Sequence, residues 1–145
     1  MQEDKILRGM MGEESLRFAA ISGREMVKEA RRIHSLSRTG SAALGRQLLM
    51  TALLASDLKN ETDSVTTILA GDGAGGNMVC TGRFGALVKG YAACPQAELP
   101  PAPNGKLFVR GFVGTKGKLT VVRDMGLKEP YVGACNLISG EVAED

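Results

Sequence analysis

Thiols, an imidazole and a glycine-rich loop are the groups in this chain that could do chemistry. The thiols are Cys80, Cys94 and Cys135. Their number is odd and their spacings are wide, so they spell neither a disulfide framework nor a zinc knuckle, and they read as small buried thiols of a reducing compartment. His34 is the only histidine. A metal site needs several ligands and nothing nearby pairs with it. No serine stands in a nucleophile-elbow context that would make it one third of a triad. His34 therefore reads as a basic residue in the last turn of a helix, facing the negative end of the helix dipole. Gly71-Asp72-Gly73-Ala74-Gly75-Gly76 satisfies G-x-G-x-x-G. A dinucleotide site also needs a helix opening at the third glycine, whose free amides meet the pyrophosphate. Here Asn77–Gly82 reads as a second strand, so the loop is expected to be a hairpin turn.

Lys89-Gly90-Tyr91-Ala92 has the start of a base-stacking strand, but Ala93-Cys94-Pro95 follows where further aromatics would be needed. A nucleotide-binding enzyme domain on Gly71–Gly76 and a nucleic-acid-binding sheet remain the two alternatives to the main expectation. That expectation is a protein with no catalytic residues, no metal ligands and no cofactor, working through a surface.

The bulk numbers fit this picture. A chain of 145 residues, 43% hydrophobic and 23% charged, suits one soluble domain spanning 1–145. Glycine is abundant at 19 residues, tryptophan is absent and aromatics make up 4%, which favours many short strands joined by tight turns over a helical bundle. A net charge of +2 gives no electrostatic reason to expect a nucleic-acid or membrane partner. Met1-Gln2-Glu3-Asp4 is acidic and no apolar signal core follows, so a cytoplasmic location is expected. The most apolar helical stretch, Ser41–Leu58, contains Arg46, Gln47, Ser56 and Asp57, which suits a buried helix better than a membrane span.

The elements that would position these groups can be read in order. Lys5–Met11 and Ser15–Ile21 flank Gly12-Glu13-Glu14 and predict a hairpin. In the second run Leu16, Phe18 and Ala20 alternate with Ser15, Arg17 and Ala19, the period of a half-buried strand. Ser22 and Glu25 have capping-box spacing, and Met26, Val27, Ala30 and Ile33 then recur at helical intervals. Ser41–Leu58 predicts a second, central helix, apolar on nearly every side. From there the period becomes that of strands: Val65–Ala70, Asn77–Gly82, Ala86–Ala92, Leu107–Val113, Lys118–Asp124 and Tyr131–Leu137. The run Leu99-Pro100-Pro101-Ala102-Pro103-Asn104-Gly105 has to be a surface loop. The predicted fold is α+β: a hairpin, two helices, then about six strands in layered, mainly antiparallel sheets.

Within that fold Ala86–Ala92 and Leu107–Val113 have two unlike faces. One carries Val88, Ala92, Val109 and Val113. The other carries Leu87, Lys89, Tyr91, Phe108, Arg110 and Phe112, neither fully polar nor fully apolar, and thus either covered by another layer or exposed as an adhesive surface.

Several runs together resemble the heat-shock protein 33 family. They are Glu29-Ala30-Arg31-Arg32-Ile33-His34, Ala42-Ala43-Leu44-Gly45-Arg46, Gly71-Asp72-Gly73, Val88-Lys89-Gly90-Tyr91, Gly117-Lys118-Leu119-Thr120-Val121, Leu127-Lys128-Glu129-Pro130-Tyr131 and Ser139-Gly140-Glu141-Val142-Ala143-Glu144-Asp145. The resemblance spans essentially the whole chain in one order. It implies a redox-regulated, ATP-independent holdase chaperone of the bacterial cytoplasm, whose partners are unfolded or partly folded client proteins. Members of that family carry a C-terminal zinc switch of four thiolates, Cys-x-Cys plus Cys-x-x-Cys. Neither pair is present here and the chain stops at Asp145, so it reads as an N-terminal core segment to which zinc binding and oxidative switching are not carried over. On this reading Leu87, Tyr91, Phe108 and Phe112 form the client-binding face, and a homodimer, formed by exchange of elements between chains, is expected from unpaired strand edges.

Overall fold

The computed structural model describes residues 3–13 and 15–145. Strands β1 (Lys5–Met11) and β2 (Leu16–Ser22) pair antiparallel with Gly9 opposite Phe18. The expected half-burial of β2 does not occur. Leu16 and Phe18 are exposed, because the hairpin is a sheet of two strands and, among the described residues, no layer covers these two side chains. The Phe18 ring instead lies across Gly9, in the space a side chain there would fill.

Helix α1 (Arg24–His34) follows. The capping box of Ser22 and Glu25 does not form, since Ser22 ends β2, where its Oγ accepts from the Lys5 amide at 3.0 Å. Asp4 supplies the cap from across the hairpin: its Oδ1 accepts from the Glu25 amide at 3.1 Å and its Oδ2 from the Met26 amide at 2.7 Å. A carboxylate at this end also answers the positive end of the helix dipole.

Helix α2 (Arg38–Ala55) begins three residues before the predicted Ser41, where Ser37 Oγ accepts from the Gly40 amide at 2.9 Å. It is the central helix the apolar pattern called for, with Ala43, Leu44, Leu48, Ala52 and Ala55 buried. Gly45 lets α1 approach closely, since a Cβ there would stand 3.0 Å from Val27 Cγ2. Buried polar side chains fix α2 on the sheet below: Thr51 Oγ1 lies 2.7 Å from Thr67 Oγ1, and Gln47 reaches two strands. Buried Gln47 donates through Nε2 to the Thr67 carbonyl at 3.0 Å, to Thr67 Oγ1 at 3.1 Å and to the Met78 carbonyl at 3.2 Å. In the interior such bonds specify one register, because any slip would leave these groups unpaired.

Beneath α2 lies a five-stranded antiparallel sheet ordered β5-β4-β3-β6-β7, made of β3 (Ser64–Gly71), β4 (Met78–Arg83), β5 (Leu87–Ala92), β6 (Gly117–Asp124) and β7 (Tyr131–Asn136). Period-two alternation turns Val65, Thr67, Leu69, Met78, Cys80 and Leu119 toward the helix, and all six are buried.

One predicted strand is corrected. Leu107–Val113 is not a strand: Val109–Val113 forms the short helix α3, entered through Phe108. The reason is tertiary. The amides of Gly73, Ala74 and Gly75, in the turn between β3 and β4, donate to the carbonyls of Val113, Gly111 and Phe112 at 3.3, 3.0 and 2.9 Å. Those carbonyls have no helical partner beyond so short a helix, and the turn satisfies them. Helical geometry also drives Phe112 into the core beside Leu44, Leu69 and Met78. Burial of each such side chain contributes roughly 1.5–3 kcal/mol.

Candidate surface site

The site is built on β5. Its alternation puts Leu87, Lys89 and Tyr91 on the face turned away from α2, with Leu87 73% and Tyr91 52% exposed. Register extends that face across the sheet: Tyr91 stands opposite Val79 and Leu87 opposite Arg83 on β4, Val79 opposite Ile68 on β3, and Val122 of β6 opposite Val132 of β7. Among the described residues no other element packs over this face. The result is a broad, gently apolar platform interrupted by threonines and a few charges.

Of the four residues predicted to share this platform, the structure brings two together. Leu87 and Tyr91 are on it. Phe112 is 0% exposed and has no surface to offer a partner, because α3 turns its ring inward. Phe108, at the start of α3, is half-buried against Gly111 and borders a different groove, with Arg38, Arg46 and Pro101. The alternation of Phe108, Arg110 and Phe112 was compatible with a strand, but the chain there is helical.

Sequence reasoning missed the neighbour of the platform. Between α1 and β5 lies a cleft of about 580 Å³ whose lining includes Met26, Ala30, Ile33, Leu48, Val88 and Tyr91. The helical spacing of Met26, Ala30 and Ile33 was legible as an apolar stripe. That the stripe is only half covered was not: no residue of α1 is fully buried. The acidic group at the cleft is settled by local pairing. Glu29 accepts two hydrogen bonds from Arg32, at 2.9 and 2.7 Å, and these hold its carboxyl below the usual range. A second exposed apolar surface, on the hairpin, carries Leu7, Met10, Met11 and Leu16.

The glycine-rich turn is spent on structure. The Asp72 amide donates to the Lys116 carbonyl, the next three bond α3, and the Gly76 amide donates to the Gly73 carbonyl. No amide from Asp72 to Gly76 is left for a phosphate, and the helix end it meets is the carbonyl end, which repels anions.

The cysteines do not fit a thiolate metal centre. Cys80 is buried against α2, and burial pushes its thiol up to about 12, against the opposing effect of a hydrogen bond with Thr51. Cys94, in the loop after β5, and Cys135, on β7, are exposed, so the reading of all three as buried thiols holds for Cys80 alone. Among the described residues no three of His, Cys, Asp and Glu come together as metal ligands. Nor is any helix among them long and apolar enough to cross a membrane.

Comparison with known proteins agrees with this architecture. Residues 4–145 match the family model described as Hsp33 protein. The chain is 49% identical over 142 residues to the 33 kDa chaperonin of Carboxydothermus hydrogenoformans, an alignment covering 98% of this chain and 49% of the relative. It is 46% identical over 142 residues to the 33 kDa chaperonin of Deinococcus radiodurans, covering 97% of this chain and 48% of that one. The crystal structure of the 33 kDa chaperonin, a heat shock protein 33 homolog, from Thermotoga maritima superposes with a TM-score of 0.91 at 40% identity, covering 97% of this chain and 48% of the other. The chain spans about half the length of the relatives it matches.

Proposed function

This chain belongs to the Hsp33 family, and from that premise we propose that it is an ATP-independent holdase, a chaperone that binds unfolded protein segments on apolar surface and keeps them from aggregating, with no catalytic step. The observation that carries this reading is the uncovered sheet face with Leu87 and Tyr91 standing out of it. Each Leu or Phe that a client buries there contributes roughly 1.5–3 kcal/mol, so a few contacts give useful affinity without selecting a sequence. The setting is the cytoplasm and the clients are partly unfolded proteins. Two copies associate by exchange of elements between chains. No nucleic acid or membrane is involved.

Holding by this chain is independent of zinc and of redox state. It carries three cysteines, one fewer than a four-thiolate site needs within one copy, and one of them is buried in the core. The test is light scattering of a thermally unfolding client, such as citrate synthase, with the chain added in the presence and absence of reductant. Suppression of scattering to the same extent in both is the expected result. No suppression at a several-fold molar excess would overturn the holdase reading, and suppression only after oxidation would overturn its redox independence.

A further inference from the structure

Strand β5 is one edge of the five-stranded sheet, and its backbone groups can be sorted by parity. The Ala93 amide donates to the Asn77 carbonyl at 2.8 Å, which continues the register placing Tyr91 opposite Val79, Lys89 opposite Thr81 and Leu87 opposite Arg83. Hydrogen-bonded pairs alternate with unbonded ones along an antiparallel ladder. Leu87, Lys89 and Tyr91 therefore direct their amides and carbonyls to β4. Val88 and Gly90 direct theirs outward, and among the described residues no backbone group meets them.

Edges of this kind are usually blunted by proline, a bulge, charge or a covering element. Helix α1 runs beside this one without closing it, and the gap is the apolar cleft between Met26, Ala30 and Ile33 on one side and Val88 and Gly90 on the other. Gly90 is required by packing, since a Cβ there would run into Cys80 Sγ, and it also leaves the outward backbone bare at the middle of the strand. Charge narrows the occupant further. Glu29 is held by Arg32 and Glu25 by Lys28, each pair at 2.7 Å. Among the described residues Lys89, on the lip of the cleft, forms no ion pair.

We propose that this cleft takes one extended segment of a client as an added strand on β5. The segment's backbone pairs with the outward groups of Val88 and Gly90. Its apolar side chains of one parity fill the cleft against Met26, Ala30 and Ile33, and an acidic residue on it faces Lys89 as a cross-strand pair. This rests on the holdase reading and deepens it: main-chain pairing is common to every polypeptide, so it supplies affinity without demanding a sequence.

The probe is a fluorescent peptide, Glu-Val-Thr-Val-Thr-Val-Glu, read by anisotropy against two versions N-methylated on alternate amides, one for each parity. One edge of an added strand faces β5, so methylation of one parity is expected to weaken binding about tenfold and of the other about twofold or less. Val88→Pro, which deletes an outward amide, should lose about tenfold for the parent peptide, and Lys89→Glu should reverse the preference toward a Lys-ended peptide. Equal affinity for all three peptides overturns the proposal without touching the protein's fold. So does a sedimentation dimer that Val88→Pro returns to monomer, since a second copy would then occupy the edge. Client-scattering assays on the same samples separate the two readings: suppression with parity-blind peptides leaves the holdase standing and the added strand refuted, while parity-dependent binding without suppression leaves the strand site standing and refutes the holdase.

Discussion

The phenyl ring of Phe112 lies against the backbone of Gly75, in the space where a side chain at that position would have to be, while the Gly75 amide donates to the Phe112 carbonyl at 2.9 Å. One residue thus contacts the glycine turn with both its ring and its main chain. This locks α3, the β3–β4 turn and the core beneath α2 into one unit.

Removing the ring should therefore cost far more than removing any ring on the platform. Phe112→Ala is expected to destabilise by about 3–5 kcal/mol, and Gly75→Ala by several kcal/mol through forced overlap. Tyr91→Ala, on an exposed side chain, should change stability by about 0.5 kcal/mol or less. Urea denaturation followed by circular dichroism separates these outcomes. Comparable losses for Phe112 and Tyr91 would show that the platform is in fact covered.

The same contact explains what the sequence could and could not disclose. Period-two runs such as Val65-Thr66-Thr67-Ile68-Leu69 predicted strands correctly, because a strand's pattern is set by one buried and one open face. The apolar girth of α2 predicted a central helix for the same reason. Val109-Arg110-Gly111-Phe112-Val113 has no such local signature. Its helical state depends on amides about forty positions upstream in the chain, which local pattern cannot show. The cap of α1 is non-local too: Ser22 had the right spacing, but the carboxylate of Asp4, 21 residues before Glu25, has the right place. Leu87 and Tyr91 were legible as neighbours on one strand face. The cleft beside them was not, because it is a gap between a helix and an edge rather than a property of either.

Asp4 is the test of the α1 cap. Asp4→Ala leaves the Glu25 and Met26 amides without their acceptor, which should cost about 0.5–2 kcal/mol. Because the cap joins the segment before β1 to α1, hydrogen exchange should speed up first at Glu25 and Met26 and then along α1. Faster exchange spread evenly over α2 and the sheet instead would mean that α1 does not open as a separate unit.

The thiols should divide by environment. With its thiol pushed up to about 12 by burial, Cys80 holds a negligible thiolate fraction near neutral pH and has no access to reagent. Ellman's reagent at pH 8 should titrate two thiols in the native chain, Cys94 and Cys135, and the third only on adding denaturant. Three thiols reacting at one rate would contradict the packing of β4 under α2.

Acid stability should be set in part by two carboxylates that tie turns together. The amides of Lys116 and Thr115 hold Asp72 below its ordinary 3.8, through hydrogen bonds of 3.1 and 2.9 Å to its Oδ1. For Asp145 burial works the other way, but the amides of Ser139, Ile138, Val142 and Gly140 outweigh it and the shift is again downward. A carboxyl depressed in the folded state stabilises it above the unfolded pKa, and that contribution is lost as pH falls through the folded one. Asp72→Asn should therefore be less stable than the parent at pH 7, and the two should converge as pH drops below about 4. Urea midpoints at pH 7, 5 and 3 give the comparison, and a gap that stays constant would assign the effect to shape rather than charge.

The platform itself separates Leu87 and Tyr91 from Phe108, which sequence had grouped with them. Leu87→Ser and Tyr91→Ser remove exposed apolar groups from the open face, so together they should raise the chain concentration needed for half-suppression of client scattering about tenfold or more, the loss of one or two such contacts, with an unchanged urea midpoint. Phe108→Ser alters a side chain in the groove beside Arg38 and Arg46, on another part of the surface, and should leave suppression within about twofold. If Phe108→Ser abolishes suppression while Leu87→Ser with Tyr91→Ser does not, clients sit in the groove beside α3 and the sheet face is not where they bind.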